Sequence, residues 1–153
     1  MQGFIPVIYD TENNMDWKYL TDMGFEATPV YGERDVEHVD PETGEVTYTK
    51  ENQIITYDGD FIYFNNNILA AKYGQYDYST GKETKNKRKE AVIEDIAASM
   101  KELLDAQDNG EIDQGFVFVW DSIGSINSYK SYKSVTNNNM FDAGSVSVAF
   151  SNI

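Results

Sequence analysis

The hydrophobic pattern changes period several times along the chain, and each change marks an element. "GFIPVIYD" (3–10) is a short apolar run with Phe, Ile and Val that ends in an acid, the pattern of a buried strand. Asp16 precedes "WKYLTDMGF", where Trp17, Leu20 and Gly24 predict an N-capped helix with a glycine stop. "DFIYF" (60–64) reads as another strand. From Lys89 to Asp108 the period becomes helical: Val92, Ile93, Ile96, Ala97, Met100, Leu103 and Leu104 recur at three- and four-residue steps between charged positions. That helix stops at "DNG", and "GFVFVW" follows as an apolar run between Gly115 and Asp121. Strand, helix and fully apolar strand in succession predict an α/β fold with a mostly parallel sheet covered by helices on both faces.

Two other stretches read as hairpins set into this frame. Residues 33–57 carry alternating segments around the Pro/Gly turn of "VEHVDPETGEVTYTK", and residues 68–88 contain a second turn at "STGK". At the end of the sequence, "SVSVAF" alternates Val146, Val148 and Phe150 at period two, which by pattern alone is a strand.

Length and charge narrow the picture. At 153 residues the chain is expected to form one domain, and 41% hydrophobic with 14% aromatic residues argues for a packed core. Twenty-six acidic against twelve basic residues give a net charge of -14, so any contact with nucleic acid must be local. Five cations gather in "KETKNKRK" (Lys82, Lys85, Lys87, Arg88, Lys89), expected as a solvated turn and helix start. The absence of Cys removes disulfides, thiolate metal sites and a Cys nucleophile, and the single histidine, His38, argues against a Ser-His-Asp arrangement. No apolar run approaches the ~18 residues of a membrane span and no signal-peptide pattern opens the chain, which is read as soluble and cytoplasmic.

The candidate chemistry lies at strand ends. "IPVIYDTE" supplies Asp10 and Glu12, and "FVFVWDS" supplies Asp121 and Ser122. If those strands are neighbours in a parallel sheet, the acids converge where such sheets bind ligands, a setting for Mg²⁺ and for a water-orienting base. No G-x-x-x-x-G-K-[ST] stretch occurs in the sequence to cradle phosphates. "DAQDNGEIDQGF" has partial EF-hand spacing, but Gln107 and Phe116 stand where the third and twelfth ligands belong, so a helix stop with solvated acids is the better account. Beyond Asp121, "NSYKSYKSVTNNN" mixes tyrosines and lysines, the rings and cations that single-stranded nucleic acid requires.

In this order the segments resemble the ATPase core of RecA-type recombinases, particularly phage strand-exchange proteins of the UvsX kind. "VIYDTENNMDWKYLTDMGF" resembles the strand and helix after the P-loop helix, "IEDIAASMKELLDAQDNGEID" the helix before the Walker B strand, and "GFVFVWDSIGSI" that strand itself. The resemblance implies a partial RecA-like P-loop NTPase core, with the P-loop and the last strands outside the sequence and Met1 an added start. It implies that Glu12 orients or activates the hydrolytic water, that Asp121 with Ser122 stands near Mg²⁺, and that Asp16 and Tyr19 meet the adenine. It also implies that 127–139 is a DNA-binding loop contacting single-stranded DNA through Tyr129, Lys130, Tyr132 and Lys133. It makes 140–153 helical, against the period-two pattern, and the helix is the expectation adopted. Residues 33–88 are poorly covered by the resemblance.

The expected function is that of a fragment of an ATP-dependent homologous-recombination protein, acting in a bacterial host cell if phage-type. Its parent would bind ATP and Mg²⁺, form filaments of neighbouring protomers on single-stranded DNA and exchange strands, whereas the fragment would hold neither cofactor tightly and lack ATPase activity alone. The alternative is a non-enzymatic phage-type module that keeps a RecA-like sheet and binds another protein through its hairpins.

Overall fold

The computed structural model describes residues 3–133, 143–151 and 153. Where length suggests one domain, the chain divides into two compact units: the segment ending at Asn14 with the segment beginning at Phe61, and Met15–Asp60.

The first unit is α/β. Strands β1 (Phe4–Asp10), β4 (Ile62–Asn65) and β7 (Gly115–Asp121) form a parallel sheet in the order β4-β1-β7. Proline suits a central strand poorly because it donates no ladder hydrogen bond. Pro6 is tolerated in β1 because pairing with β4 begins only at Val7, so at Pro6 that side of β1 is still an edge. Alternation along the strands sends Val7 and Tyr9 to one face with Phe64, Phe116, Phe118 and Trp120. Helices α2 (Asn66–Tyr73), α3 (Ile93–Asp108) and α5 (Ala143–Phe150) bring Leu69, Ile96, Met100, Leu103 and Phe150 onto that face. Tyr9 stacks on Phe64 with ring centroids 5.2 Å apart, and its hydroxyl meets Ser99 Oγ at 2.6 Å in the core. These three helices cover one face only; on the other, Val119 remains 43% exposed.

α3 spans most of the amphipathic segment but starts four residues later than Lys89. Asp95 sets the start, its carboxylate accepting the Val92 N–H at 3.0 Å. The helix stops as the sequence predicts, with Gly110 at φ +76 and Glu111 N–H returning to the Ala106 carbonyl at 2.9 Å. One expectation nearby is corrected. Residues 68–73, read as a hairpin arm, belong to α2, which Asn65 caps by accepting the Ile68 N–H. Only β5 (Tyr76–Asp77) and β6 (Lys82–Glu83) of that stretch pair as strands, around the "STGK" turn. "SVSVAF" lies within α5, the helix adopted over the alternation.

The second unit contains α1 (Trp17–Asp22) and a long antiparallel hairpin, β2 (Ala27–Val39) with β3 (Val46–Gly59). Asp16 caps α1 through the Tyr19 N–H at 2.7 Å, and Gly24 follows at φ +93, as the sequence predicts. The hairpin contains the alternating segment 33–57 and extends beyond it. Its turn is organised by Asp40, whose carboxylate accepts the Glu42 and Thr43 N–H groups at 2.8 and 3.0 Å. Those two backbone donors hold the Asp40 carboxyl below its ordinary value.

Candidate functional site

Parallel strands end on a common side of their sheet, which is where β1 and β7 deliver their acids. Their register runs from Phe4 opposite Gly115 to Asp10 opposite Asp121, so the two acidic strand ends are adjacent. The surroundings then separate the roles. Asp10 is fully buried and accepts the Tyr63 hydroxyl at 2.7 Å and the Asn14 N–H at 3.0 Å, so it fastens the loop after β1. Asp121 is exposed, and its carboxylate has no hydrogen-bond partner among the described residues.

Glu12 reaches across to the end of β7. It is exposed, accepts the Ser122 hydroxyl at 2.5 Å, and is held from its own side by Asn14 Nδ2 at 2.9 Å. The Asp121–Ser122 peptide is cis. Beneath this contact lies Thr11, a buried residue that sequence reading passed over. Its hydroxyl donates to the Ser122 carbonyl at 2.8 Å and accepts the Trp120 Nε1–H at 3.2 Å, with Ser125 Oγ 2.6 Å away. The Thr11 N–H also donates to the Asp121 carbonyl at 2.9 Å, and Asn66 Nδ2 donates to the Thr11 carbonyl at 2.8 Å. Thr11 thus ties the ends of β1 and β7 together. The only signal for it was a polar β-branched residue between Asp10 and Glu12.

Among the described residues no group of three or more His, Asp or Glu stands ready to hold an ion alone. A Mg²⁺ ion carried on phosphates needs only one or two carboxylates, because it keeps several waters. The exposed Asp121, with Glu12 and Ser122 in contact beside it, fits that smaller donor set, and Asn66 leaves a buried Oδ1 without a hydrogen-bond partner near the same loop. Asp16 and Tyr19, the residues expected at the adenine, belong to the second unit: the Asp16 carboxylate caps α1, and Tyr19 is 52% exposed.

The stretch beyond β7 passes through a short 3-10 turn (Ile123–Ser125) into helix α4 (Tyr129–Lys133). Tyr129 is buried, edge-on to Tyr78 with centroids 5.5 Å apart, and its backbone N–H donates to Glu94 at 2.8 Å. Lys133 pairs with Asp77 at 2.8 Å and lies 4.9 Å over the Tyr129 ring. The bond from Lys133, helped by Ser79, holds the Asp77 carboxyl well below its ordinary value. Lys130 and Tyr132 are exposed, so of the four residues expected to meet DNA these two are without an ion pair or hydrogen bond from their side chains among the described residues. The remainder of that loop, 134–139, lies outside the described residues.

One member of the basic cluster is not solvated. Arg88 is buried, and its guanidinium forms a two-pronged pair with the fully buried Asp95 at 2.9 and 2.8 Å. It also donates to the carbonyls of Glu90 and Tyr73, and Tyr78 donates its hydroxyl to Asp95 at 2.7 Å. Burial, followed by the Asp95 charge, pushes the Tyr78 phenol upward. In the sequence, Arg88 looked like its neighbours because only its partner distinguishes it.

Among the described residues no helix is long and apolar enough to cross a membrane. No protein-family model, curated protein or solved structure matches the chain.

Proposed function

We propose that the chain serves ATP-dependent homologous recombination as a RecA-like core of the phage strand-exchange kind. The observation that carries the reading is the parallel register that sets Asp10 beside Asp121, with Glu12 bonded to Ser122 across the two strand ends. In this reading Asp121 faces the ion carried on the nucleotide and Glu12 orients the attacking water. Ser122 fixes the Glu12 carboxylate, and Thr11 keeps both strand ends in register. Mg²⁺, when bound with ATP, neutralises charge developing on the phosphoryl oxygens. The sequence contains no phosphate-cradling G-x-x-x-x-G-K-[ST] stretch, so hydrolysis requires backbone that these residues do not supply.

Lys130 and Tyr132 are the DNA-facing pair: an exposed cation for phosphate and an exposed ring for base stacking. The test is binding of oligo-dT to the chain across a salt series. The account expects weak binding that falls with salt, a log-log slope reduced by about one in Lys130→Ala, and affinity lowered by roughly 1–3 kcal/mol in Tyr132→Ala. Binding that is absent at low salt, or indifferent to both substitutions, contradicts the DNA part of the proposal.

The second reading, a protein-binding module, is favoured by the β2–β3 hairpin. Its outer part is exposed on both faces from Glu37 to Lys50 and displays Val39, Val46 and Tyr48. A chain for which Mg·ATP and DNA are both without effect belongs to this reading.

A further inference from the structure

A cavity of about 710 Å³ lies within the first unit, away from the strand-end acids, between α3, α5 and the β5–β6 turn. That volume is in the range of small-molecule sites. Its floor is smooth and apolar, made by Ala97, Ala98 and Ala149. Its wall is aromatic: Tyr73, Tyr76 and Tyr78 all line it, and the Tyr76 and Tyr78 rings meet edge-on with centroids 4.9 Å apart.

The charges around this wall are uneven. Both lysines at the cavity are already neutralised, Lys72 by Glu102 at 2.8 Å and Lys101 by Asp105 at 3.0 Å. Glu83 and Glu94 also line it, and neither has an ion-pair partner among the described residues. Glu83 stands directly opposite Tyr76 in the β5–β6 register, placing a carboxylate beside an aromatic ring. Glu94 is partly buried and accepts from the backbone N–H groups of Tyr129 and of Glu94 itself; burial raises its carboxyl, and Asp95, Arg88 and Tyr78 are its charged or titratable neighbours. Two of the three lining rings already attract cations of the chain itself: Lys72 lies 5.3 Å over Tyr73 and Arg88 lies 5.6 Å over Tyr78. Tyr76, 38% exposed, has no such cation among the described residues.

We propose that this cavity binds a small organic cation, an ammonium with an apolar body, whose charge sits between the Tyr76 ring and the Glu83 carboxylate while its body covers the alanine floor. Ring faces attract cations, and the attraction grows as the charge leaves water. A neutral ligand gains only the floor, and an anion meets two unpaired carboxylates. The inference is independent of the recombination reading, since it involves neither the strand-end acids nor DNA.

The probe is benzyltrimethylammonium, titrated into the full chain and followed by NMR, with neutral benzyl alcohol and anionic benzoate as comparison ligands. The expected result is saturable shifts centred on Tyr76, Ala97 and Ala149, with the cation bound about tenfold more tightly than either comparison ligand. Tyr76→Ala and Glu83→Gln should each weaken it several-fold, and Tyr76→Phe should retain it. Both side chains are exposed, so these changes leave the core untouched. Absence of saturable shifts, equal affinity for benzyl alcohol, or shifts centred elsewhere overturns the proposal.

Discussion

Thr11 has the densest set of polar contacts at the strand ends, and its hydroxyl is the part that can be removed without changing shape. Thr11→Val keeps the volume but leaves the Trp120 N–H without its acceptor and removes one of the donors to the Ser122 carbonyl, which keeps Ser125 Oγ at 2.8 Å. Leaving such groups unsatisfied costs about 1–3 kcal/mol, so urea unfolding should show a loss in that range, with Thr11→Ser close to the parent. If Thr11→Val is as stable as the parent, the hydroxyl does not tie the strands. Arg88 and Asp95 make a sharper case. Asp95→Asn leaves a buried guanidinium without its counter-charge and should cost roughly 3–5 kcal/mol, and replacing both residues by apolar ones should recover only part of the loss, because the Val92 N–H and the Tyr78 hydroxyl then lose their acceptor. Neither Thr11 nor Arg88 was legible in the sequence. Both matter through partners distant or hidden in pattern, and a hydropathy reading registers Arg88 only as one more charge in a basic run.

Elements were far more legible than these contacts, because a period or a cap is a local property. The run 3–10, the capped helix at Asp16 and the helix stopping at Gly110 all stand where an apolar run, capping and glycine placed them. The failure at α2 also has a local cause. The stretch 68–73 lacks a strong amphipathic period, so the turn at "STGK" drew the whole segment into a hairpin, while the Asn65 cap that starts α2 was overlooked. In "SVSVAF" small and branched residues mimic a strand, but the helix adopted there stands, and from it Phe150 meets Trp120 at 5.8 Å. Two tests belong to this scale. Asp16→Ala should cost about 1 kcal/mol through the lost α1 cap, while Asp16→Asn, which can still accept from Tyr19 N–H, should cost little. Gly74→Ala should be worse tolerated, by roughly 1–3 kcal/mol, because its Cβ falls 2.7 Å from the Arg88 carbonyl oxygen, a backbone atom that cannot swing away. Chemical denaturation of each variant decides both, and an unaffected Gly74→Ala would show that the α2 end can relax.

At the scale of the molecule, the charge of -14 and the parallel strand ends act together. An acidic chain disfavours phosphates except where an ion bridges them or a cation is displayed, so the proposed reading expects nucleotide at the Asp121 edge and DNA at the exposed Lys130 and Tyr132. The adjacency of the two acids was legible only as a condition, since no sequence pattern states which strands are neighbours; the sheet order β4-β1-β7 meets that condition. The chain alone should not hydrolyse ATP above background, and a rate abolished by Glu12→Gln would show that it cradles phosphates unaided. The central claim is tested most directly by paramagnetic broadening from Mn²⁺ in the presence of ATP. The account predicts broadening localised to Glu12, Asp121 and Ser122 when Mn·ATP is added, lost in Asp121→Asn; diffuse broadening over the acidic surface, or broadening unchanged by that substitution, would contradict it.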